Sequence, residues 1–358
     1  YSLDQLDVSY NQAHATIYDQ KEAVGHAVRA LYMYTAMADL ARTDGDERLY
    51  QACRTLWENI VNRKLYITGG IGGNPEGEAF SNEYELPNDM AYAETCASIA
   101  MVFFAHRMLE METDGAYADI MEKELYNSTV SGMQLDGKRY FYVNPLECEP
   151  GASGKLFGYK HALPVRPGWY ACACCPPNLV RMITSLGKYC WDESGSTIYS
   201  HLMIGQTAKL EKAEITIETR YPWEGEAVYT VKPVTGQEFT LAIHVPYYVD
   251  LGQEETCLTV NGERINAQEI LQKGYVYIRR KWADGDQVAI RFPMEVRRVY
   301  ANQRVREDAG CVALMRGPVV YCFEGVDNGE LIQSLRIPRE AAVTPYVCEE
   351  GILKGNTL

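Results

Sequence analysis

Residues 21–42, KEAVGHAVRALYMYTAMADLAR, decide the fold class of this 358-residue chain. Apolar side chains recur at helical spacing through Val28 and Leu31, and the opposite side, with Met33 and Met37, is apolar as well. A helix that is apolar on all sides is buried. The segment therefore predicts a helix with neighbours on every side.

The helices of the first half alternate between buried and one-sided patterns. Residues 92–109 are again apolar all round, whereas 46–63 and 114–131 each carry a single apolar stripe, which is typical of surface helices. In 114–131 we expect four charged residues to be exposed: Asp119, Glu122, Lys123 and Glu124. A fifth helix is predicted after Pro176-Pro177, since proline is tolerated in a first helical turn.

Alternating inner and outer helices predict a two-layered α/α barrel. Five helices do not close a ring of six hairpins, so we expect the C-terminal portion of an (α/α)6 barrel here, with the first half upstream of Tyr1. Such a chain is expected to be catalytically weak, because one wall of the barrel is missing.

The apolar period changes to two from about residue 195. Strand-like runs such as 239–245 and 275–278 are separated by the hairpin signals Asn261-Gly262 and Asp284-Gly285-Asp286. Short strands at this spacing predict a β-sandwich. The predicted domains are the barrel portion, a β-sandwich and a further β segment that resembles an incomplete second sandwich, at residues 1–190, 191–295 and 296–358.

The charge balance limits the partners. The chain has 34 Lys and Arg against 48 Asp and Glu, a net charge of −14, which repels phosphate backbones and anionic lipid. We expect neither nucleic acid nor membrane as a partner. Eleven cysteines, an odd number, favour reduced thiols and a cytoplasmic location, or a periplasmic one if an upstream signal is missing. The sequence leaves open whether the chain is a monomer or a homodimer.

The segment WYACACCPPN, residues 169–178, is the strongest chemical feature. Its three cysteines can present soft ligands to one metal, and zinc prefers thiolate, imidazole and carboxylate ligands. Buried structural cysteines are the alternative. Glu94 and Cys96 could complete a four-ligand site, but residues two apart on a regular helix point about 200° apart. They can share a metal only if the backbone is irregular there.

A glycine-rich segment, residues 68–80, is predicted to be a loop at the mouth of the barrel. No Lys-Ser/Thr follows its glycines, which argues against a phosphate loop. It brings one or more acidic residues to a pocket, the candidates being Glu76, Glu78, Glu83 and Glu85. His26, on the first predicted helix, faces either the lumen or a packed interface.

These segments together resemble a known family. The motifs are GGIGxxxxGEAF (69–80), LPNDxxYAETCA (86–97), YFYVNPLE (140–147), ACxCCPPN (171–178) and HVPYY (244–248). In this order and spacing they resemble the bacterial β-L-arabinofuranosidases of glycoside hydrolase family 127. The resemblance runs from about Ala23 to residue 325.

The resemblance implies an (α/α)6 barrel followed by β-sandwiches, and a zinc ion bound by Glu94, Cys96, Cys174 and Cys175. It also implies that Cys174 is the nucleophile and Glu78 the general acid and base. His26 and Tyr142 would contact the sugar. The implied substrate is a terminal β-L-arabinofuranoside of a plant-derived oligosaccharide or glycoprotein glycan, hydrolysed with retention of configuration.

Three other functions remain open. A closed four-ligand zinc is normally structural, which favours a non-catalytic carbohydrate-binding protein on the same scaffold. A related pentofuranoside is an alternative substrate, since fold does not set specificity. Sugar epimerisation is the third, but it would need paired histidines, and the six histidines are scattered along the chain.

Overall fold

A computed structural model describes residues 8–329, 331–348 and 355–357 of the chain. It divides into two compact units: residues 1–189 with 302–309, and residues 190–301 with 310–358. The outer limits of the predicted first and third domains, at residues 1–7 and 358, lie outside the described residues. The division into three domains stays a prediction.

The first unit is helical. Its α-helices are α1 Ala27–Asp44, α2 Glu47–Arg63, α3 Thr95–Met111, α4 Gly115–Lys123, α5 Cys175–Thr184 and α6 Gly187–Cys190. The short α6 lies at the boundary between the two units. Short 3-10 turns occupy Val8–Asn11, Glu76–Glu78 and Val130–Gly132, and a π-helix extends α4 over Glu124–Thr129.

Helix α3 is at the centre of this unit. It contacts α1, α4 and α5, and nearly every residue from Thr95 to Leu109 is buried, as its pattern predicts. Helix α1 differs from the expectation: it buries one side, including Leu31, but leaves Tyr32 and Leu40 exposed. One face of α1 packs against α2 and α3, so only that face is removed from water.

The end of α4 and the π-helix correct a second expectation. Glu122 and Glu124 are buried, with 2% and 0% of their surface accessible, and Asp119 and Lys123 are half-buried, so none of the four is exposed. Both α4 and the π-helix pack against the buried helix α3, which removes this part of the chain from water. The Glu124 carboxyl lies against Gly69, where a Cβ would be only 2.8 Å from its Cδ.

The second unit consists of sheets. Its strands are β1 Trp191–Ser194, β2 Thr197–Ser200, β3 Gln206–Lys209, β4 Ala213–Thr219, β5 Glu226–Pro233, β6 Glu238–His244, β7 Cys257–Val260, β8 Glu263–Ile265, β9 Leu271–Gln272, β10 Tyr275–Lys281, β11 Asp286–Arg291, β12 Val296–Val299, β13 Ala313–Arg316, β14 Val319–Tyr321, β15 Tyr346–Cys348 and β16 Gly355–Thr357. The 3-10 turns Ala267–Ile270 and Ile332–Ser334 and a helix α7, Gly325–Asn328, complete its regular elements.

Two larger sheets form most of this unit, in the strand orders β1-β2-β6-β10-β9 and β3-β4-β5-β11-β7-β8. Strands β4 and β5 alternate buried with less buried residues, which fits their period of two. Tyr229 of β5 touches the other sheet, through the Ser200 hydroxyl at 3.2 Å and the ring of Trp191. The remaining sheets are β12-β13-β14 and β15-β16.

The two hairpin signals have different outcomes. Asn261-Gly262 joins β7 to β8, which pair in antiparallel fashion, so that prediction is confirmed. The prediction for Asp284-Gly285-Asp286 is wrong, because β10 pairs with β6 whereas β11 pairs with β5 and β7. This turn carries the chain from one sheet to the other. Local turn chemistry does not determine which strand becomes the neighbour.

Candidate active site

Two cysteines stand at the start of α5. Cys174 caps the helix and Cys175 is its first residue, followed by Pro176 and Pro177 in the first turn. Proline fixes φ near the helical value, so this sequence begins the helix directly after the thiols. The N-terminus of a helix carries partial positive charge, which favours thiolates at that end.

The segment Ala93–Cys96 has the irregular backbone that a shared ligand site requires. Ala93 has a φ of 40°, and Glu94 is extended, with φ −65° and ψ 134°, before α3 begins at Thr95. Cys96 lies in the first turn of α3. Glu94 therefore does not follow the helical rotation, and its carboxylate and the Cys96 sulfur point to one place.

Four donor atoms meet there. One ligand atom each from Glu94, Cys96, Cys174 and Cys175 lies within 4.8 Å of all the others. The Cys175 sulfur is 3.4 Å from that of Cys96 and 3.7 Å from that of Cys174. Oε1 of Glu94 is 3.3 Å from the Cys174 sulfur and 3.5 Å from the Cys175 sulfur.

This donor set fits a tetrahedral zinc ion. With Zn–S bonds of about 2.3 Å, neighbouring sulfurs are roughly 3.8 Å apart, close to the separations observed. Oε2 of Glu94 is buried and has no hydrogen-bond partner among the described residues, which is costly unless a ligand satisfies the carboxylate. Three soft thiols with one carboxylate suit zinc far better than magnesium or calcium.

The thiols also differ in their electrostatics. Hydrogen bonds from Cys175, Cys96 and Tyr142 hold the pKa of Cys174 well below its usual range. The same contact with Cys174 raises the pKa of Cys175, and burial, followed by the charge of Cys174, raises the pKa of Glu94. Negative charge in this cluster therefore concentrates on the Cys174 sulfur.

A cavity of about 530 Å³ opens beside the cluster. Its lining includes Cys174, Glu94 and Cys96 as well as Glu78, His26 and Tyr142. Cys174 is half-buried, whereas Cys175 is 1% exposed. Of the two neighbouring thiols, Cys174 is the one that a ligand in the cavity can reach.

Glu78 is placed by an unusual turn. It ends the 3-10 turn Glu76–Glu78 with a φ of 55°, after Gly77 at φ 74°, and left-handed backbone at a non-glycine residue is strained. Its Oε2 is 3.1 Å from Nε2 of His26. His26 is not within the first helix as expected; it caps α1 in extended conformation, and its Nδ1 accepts the Arg29 N–H at 3.4 Å.

Tyr142 contacts the cysteine cluster directly. Its hydroxyl is 3.1 Å from the Cys174 sulfur, and its backbone N–H donates to the Tyr170 hydroxyl at 3.0 Å. Its carbonyl accepts the Thr95 N–H at 3.0 Å, which ties it to the start of α3. The residues named by the resemblance therefore line one cavity, except Cys175, which is buried beside Cys174.

The other acidic residues of the loop lie elsewhere. Glu83 forms an ion pair with Arg63, Glu85 accepts a hydrogen bond from Asn82, and Glu76 lines a second cavity.

Sequence reasoning missed two residues, Arg181 and Tyr92. Arg181 lines the cavity beside the cysteine cluster from α5, and the Tyr92 hydroxyl donates a hydrogen bond to Oε1 of Glu78 at 2.8 Å. Tyr92 stands inside LPNDxxYAETCA, so the motif was the available signal.

No helix among the described residues has the length and apolar character needed to cross a bilayer.

Comparison with known proteins gives a consistent result along the chain. Residues 3–188 match the model of the β-L-arabinofuranosidase GH127 catalytic domain, 197–294 its middle domain and 296–350 the family 127 C-terminal domain. A non-reducing end β-L-arabinofuranosidase of Bifidobacterium longum is 42% identical over 327 residues, which cover 89% of this chain and 49% of that protein.

Solved structures agree with the sequence comparison. A GH127 β-L-arabinofuranosidase from Geobacillus stearothermophilus T6 is 50% identical, with a TM-score of 0.91 over 97% of this chain and 54% of that one. Another GH127 β-arabinofuranosidase is 40% identical, with a TM-score of 0.81 over 89% of this chain and 51% of that one. The chain thus spans about half the length of these relatives. Since the catalytic-domain model alone matches more than half of its residues, the chain belongs to glycoside hydrolase family 127.

Proposed function

We propose that this chain carries the active site of a retaining β-L-arabinofuranosidase, with Cys174 as nucleophile and Glu78 as general acid and base. The observation that carries the proposal is the single cavity lined by both residues beside a metal-competent cluster. The B. longum relative has this activity by name. The substrate proposed is a terminal β-L-arabinofuranoside of a plant-derived oligosaccharide or glycoprotein glycan.

The residues have defined tasks in the proposed reaction. The Cys174 sulfur attacks the anomeric carbon, forming a C–S bond, while the bond to the leaving oxygen breaks and Glu78 protonates that oxygen. Glu78 then takes a proton from water, whose oxygen attacks the same carbon and displaces the sulfur. Retaining glycosidases usually do this with two carboxyl groups, and here a thiolate takes the place of one.

Glu94, Cys96, Cys174 and Cys175 would hold the zinc ion. When bound, zinc would keep its cysteine ligands deprotonated at neutral pH. His26 and Tyr142 are proposed sugar contacts, because both line the cavity and touch Glu78 and Cys174 respectively.

The architecture belongs to the proposal as well. We place the helices in the C-terminal portion of an (α/α)6 barrel, supported by the buried central helix α3. The two larger sheets are proposed to form a β-sandwich, supported by the contact of Tyr229 with Ser200. The domain limits proposed remain 1–190, 191–295 and 296–358. The odd number of cysteines, eleven, favours a reducing compartment such as the cytoplasm, or metal protection in the periplasm.

The test compares neighbouring cysteines in the complete gene product that contains this chain. On a nitrophenyl β-L-arabinofuranoside, Cys174→Ser should lower turnover by a few orders of magnitude, whereas Cys175→Ser should act mainly by weakening metal retention. An electrophile of arabinofuranose configuration should label Cys174, read by peptide mass spectrometry. A label confined to Glu78 would contradict the cysteine mechanism.

One observation favours a second candidate, a structural zinc in a non-catalytic carbohydrate-binding protein. Four protein ligands close a zinc site, and closed sites are normally structural. This candidate predicts metal and sugar binding with no turnover of the nitrophenyl glycoside. Epimerisation is less favoured, because His26 is the one histidine that lines the described cavity.

A further inference from the structure

Both oxygens of the Glu78 carboxylate have a partner. Oε2 lies 3.1 Å from Nε2 of His26, and Oε1 accepts a hydrogen bond of 2.8 Å from the Tyr92 hydroxyl. The side chain is 32% exposed and stands on a three-residue turn, so the turn alone does not fix its orientation. Two contacts on opposite oxygens define the plane of the carboxylate, and one contact does not.

Tyr92 is itself held on two sides. Its ring stacks on His161 at a centroid distance of 5.8 Å, and Nε2 of His161 is 3.0 Å from the Met90 carbonyl. Its other contact is edge-to-face with Tyr142, at 6.0 Å and 72°. The ring therefore has little freedom to follow a rotating carboxylate.

Tyr92 and Tyr142 each contact one of the two reacting side chains. Tyr92 binds Glu78, Tyr142 touches the Cys174 sulfur, and their rings are in contact. The distance between nucleophile and acid is thus maintained by packed aromatic rings as well as by backbone. Hydrogen bonds to charged groups are the strong and geometrically specific ones.

We propose that Tyr92 is a positioning residue, which orients Glu78 toward the oxygen of the leaving group. This inference rests on the function proposed above. Without the hydroxyl, Glu78 keeps only its His26 contact and can rotate about it. Protonation of the leaving oxygen then suffers, whereas attack by Cys174 does not.

Substrates with different leaving groups distinguish a misplaced acid from a general disturbance of the fold. An alcohol or sugar leaves only with a proton, but a dinitrophenolate leaves without one. In the first step of the reaction a misplaced acid therefore slows the first kind of substrate selectively, so kcat/KM is the quantity to compare. A general disturbance of the fold would slow both.

The experiment measures kcat and KM of the Tyr92→Phe protein, in the complete gene product, on methyl and 2,4-dinitrophenyl β-L-arabinofuranosides. We expect kcat on the methyl glycoside to fall about 10- to 100-fold, the range for loss of a hydrogen bond to a charged group, with KM nearly unchanged. On the dinitrophenyl glycoside kcat/KM, which reports only the first step and not the second step in which Glu78 acts as base, should change by less than about threefold. Equal losses of kcat/KM on both substrates, or none on either, would overturn the proposal.

Tyr159→Phe is the matched control, because its hydroxyl also donates to a carboxylate, that of Asp89 at 2.9 Å, and it does not line the described cavity. It should leave both substrates unaffected.

A second measurement does not depend on turnover. Carbodiimide labelling of Glu78, read by peptide mass spectrometry, should be several-fold faster in Tyr92→Phe than in the parent, because the freed carboxylate becomes accessible. Equal labelling rates would refute the positioning role. A parent protein that cleaves neither glycoside would refute the proposed function, while a faster label in Tyr92→Phe would still support the contact.

Discussion

The buried carboxyl of Glu124 should make the stability of the helical unit depend on pH. Glu124 is fully buried, and neither of its oxygens has a hydrogen-bond partner among the described residues. Burial raises the pKa of Glu124 well above its usual value and outweighs the opposite effects of Ser98 and of the Lys123 charge. The folded chain therefore keeps a proton that the unfolded chain releases above about pH 4.3.

The sign and size follow from proton linkage. Where the folded state binds one proton more, the free energy of unfolding falls by about 1.4 kcal/mol for each unit of rising pH. Glu124→Gln cannot release a proton. Between pH 5 and pH 6 the variant should therefore gain about 1.4 kcal/mol relative to the parent, and at pH 4 the difference should be smallest.

Urea denaturation followed by far-ultraviolet circular dichroism, at several pH values in one buffer ionic strength, measures this difference. Glu58→Gln removes a charge from an exposed position of α2 and serves as the control, with a difference from the parent that stays flat. A flat difference for Glu124→Gln as well would refute the reasoning, because it would show that the carboxyl ionises in the folded protein.

Three other predictions concern single contacts. Tyr34 buries a hydroxyl with no partner among the described residues, so Tyr34→Phe should raise the free energy of unfolding by about 1 kcal/mol; a clear loss in urea denaturation would contradict this. Gly69 has a φ of 87° and no room for a Cβ beside Glu124, so Gly69→Ala should destabilise by at least about 2 kcal/mol in the same assay, and a neutral effect would be inconsistent with this packing. Elemental analysis should find one zinc per chain and much less in Cys96→Ser, and absence of metal from both proteins would exclude the site.

Local patterns predicted the parts of the fold that depend on local chemistry. The stripe of 46–63 corresponds to α2, and Asn261-Gly262 to the β7–β8 hairpin, because each depends on side chains a few residues apart. The turn at Asp284-Gly285-Asp286 was misread because the choice between two sheets depends on distant partners. Residues 302–309 likewise join the helical unit, where Val305 packs against Tyr66.

At the candidate active site, too, the sequence did not reveal the features that depend on residues distant along the chain. The cysteine motif indicated a metal, but spacing alone argued against a shared role for Glu94 and Cys96. Their convergence depends on the φ of 40° at Ala93, which no sequence rule assigns to an alanine. The motif LPNDxxYAETCA contains Tyr92 but does not reveal its role, because its contact with Glu78 joins residues 14 apart through tertiary structure.

The start of α3 and the start of α5 are far apart along the chain, because Cys96 and Cys175 are separated by 79 positions. An ion held by ligands from both would act as a reversible cross-link that closes this long loop. A covalent bridge of that span would add about 4.5 kcal/mol to the free energy of unfolding at 25 °C, because it lowers the entropy of the unfolded chain. A bound metal ion stabilises the fold in the same way but by a smaller amount. Supply of the ion would then set how long the protein survives proteolysis, before any substrate reaches it.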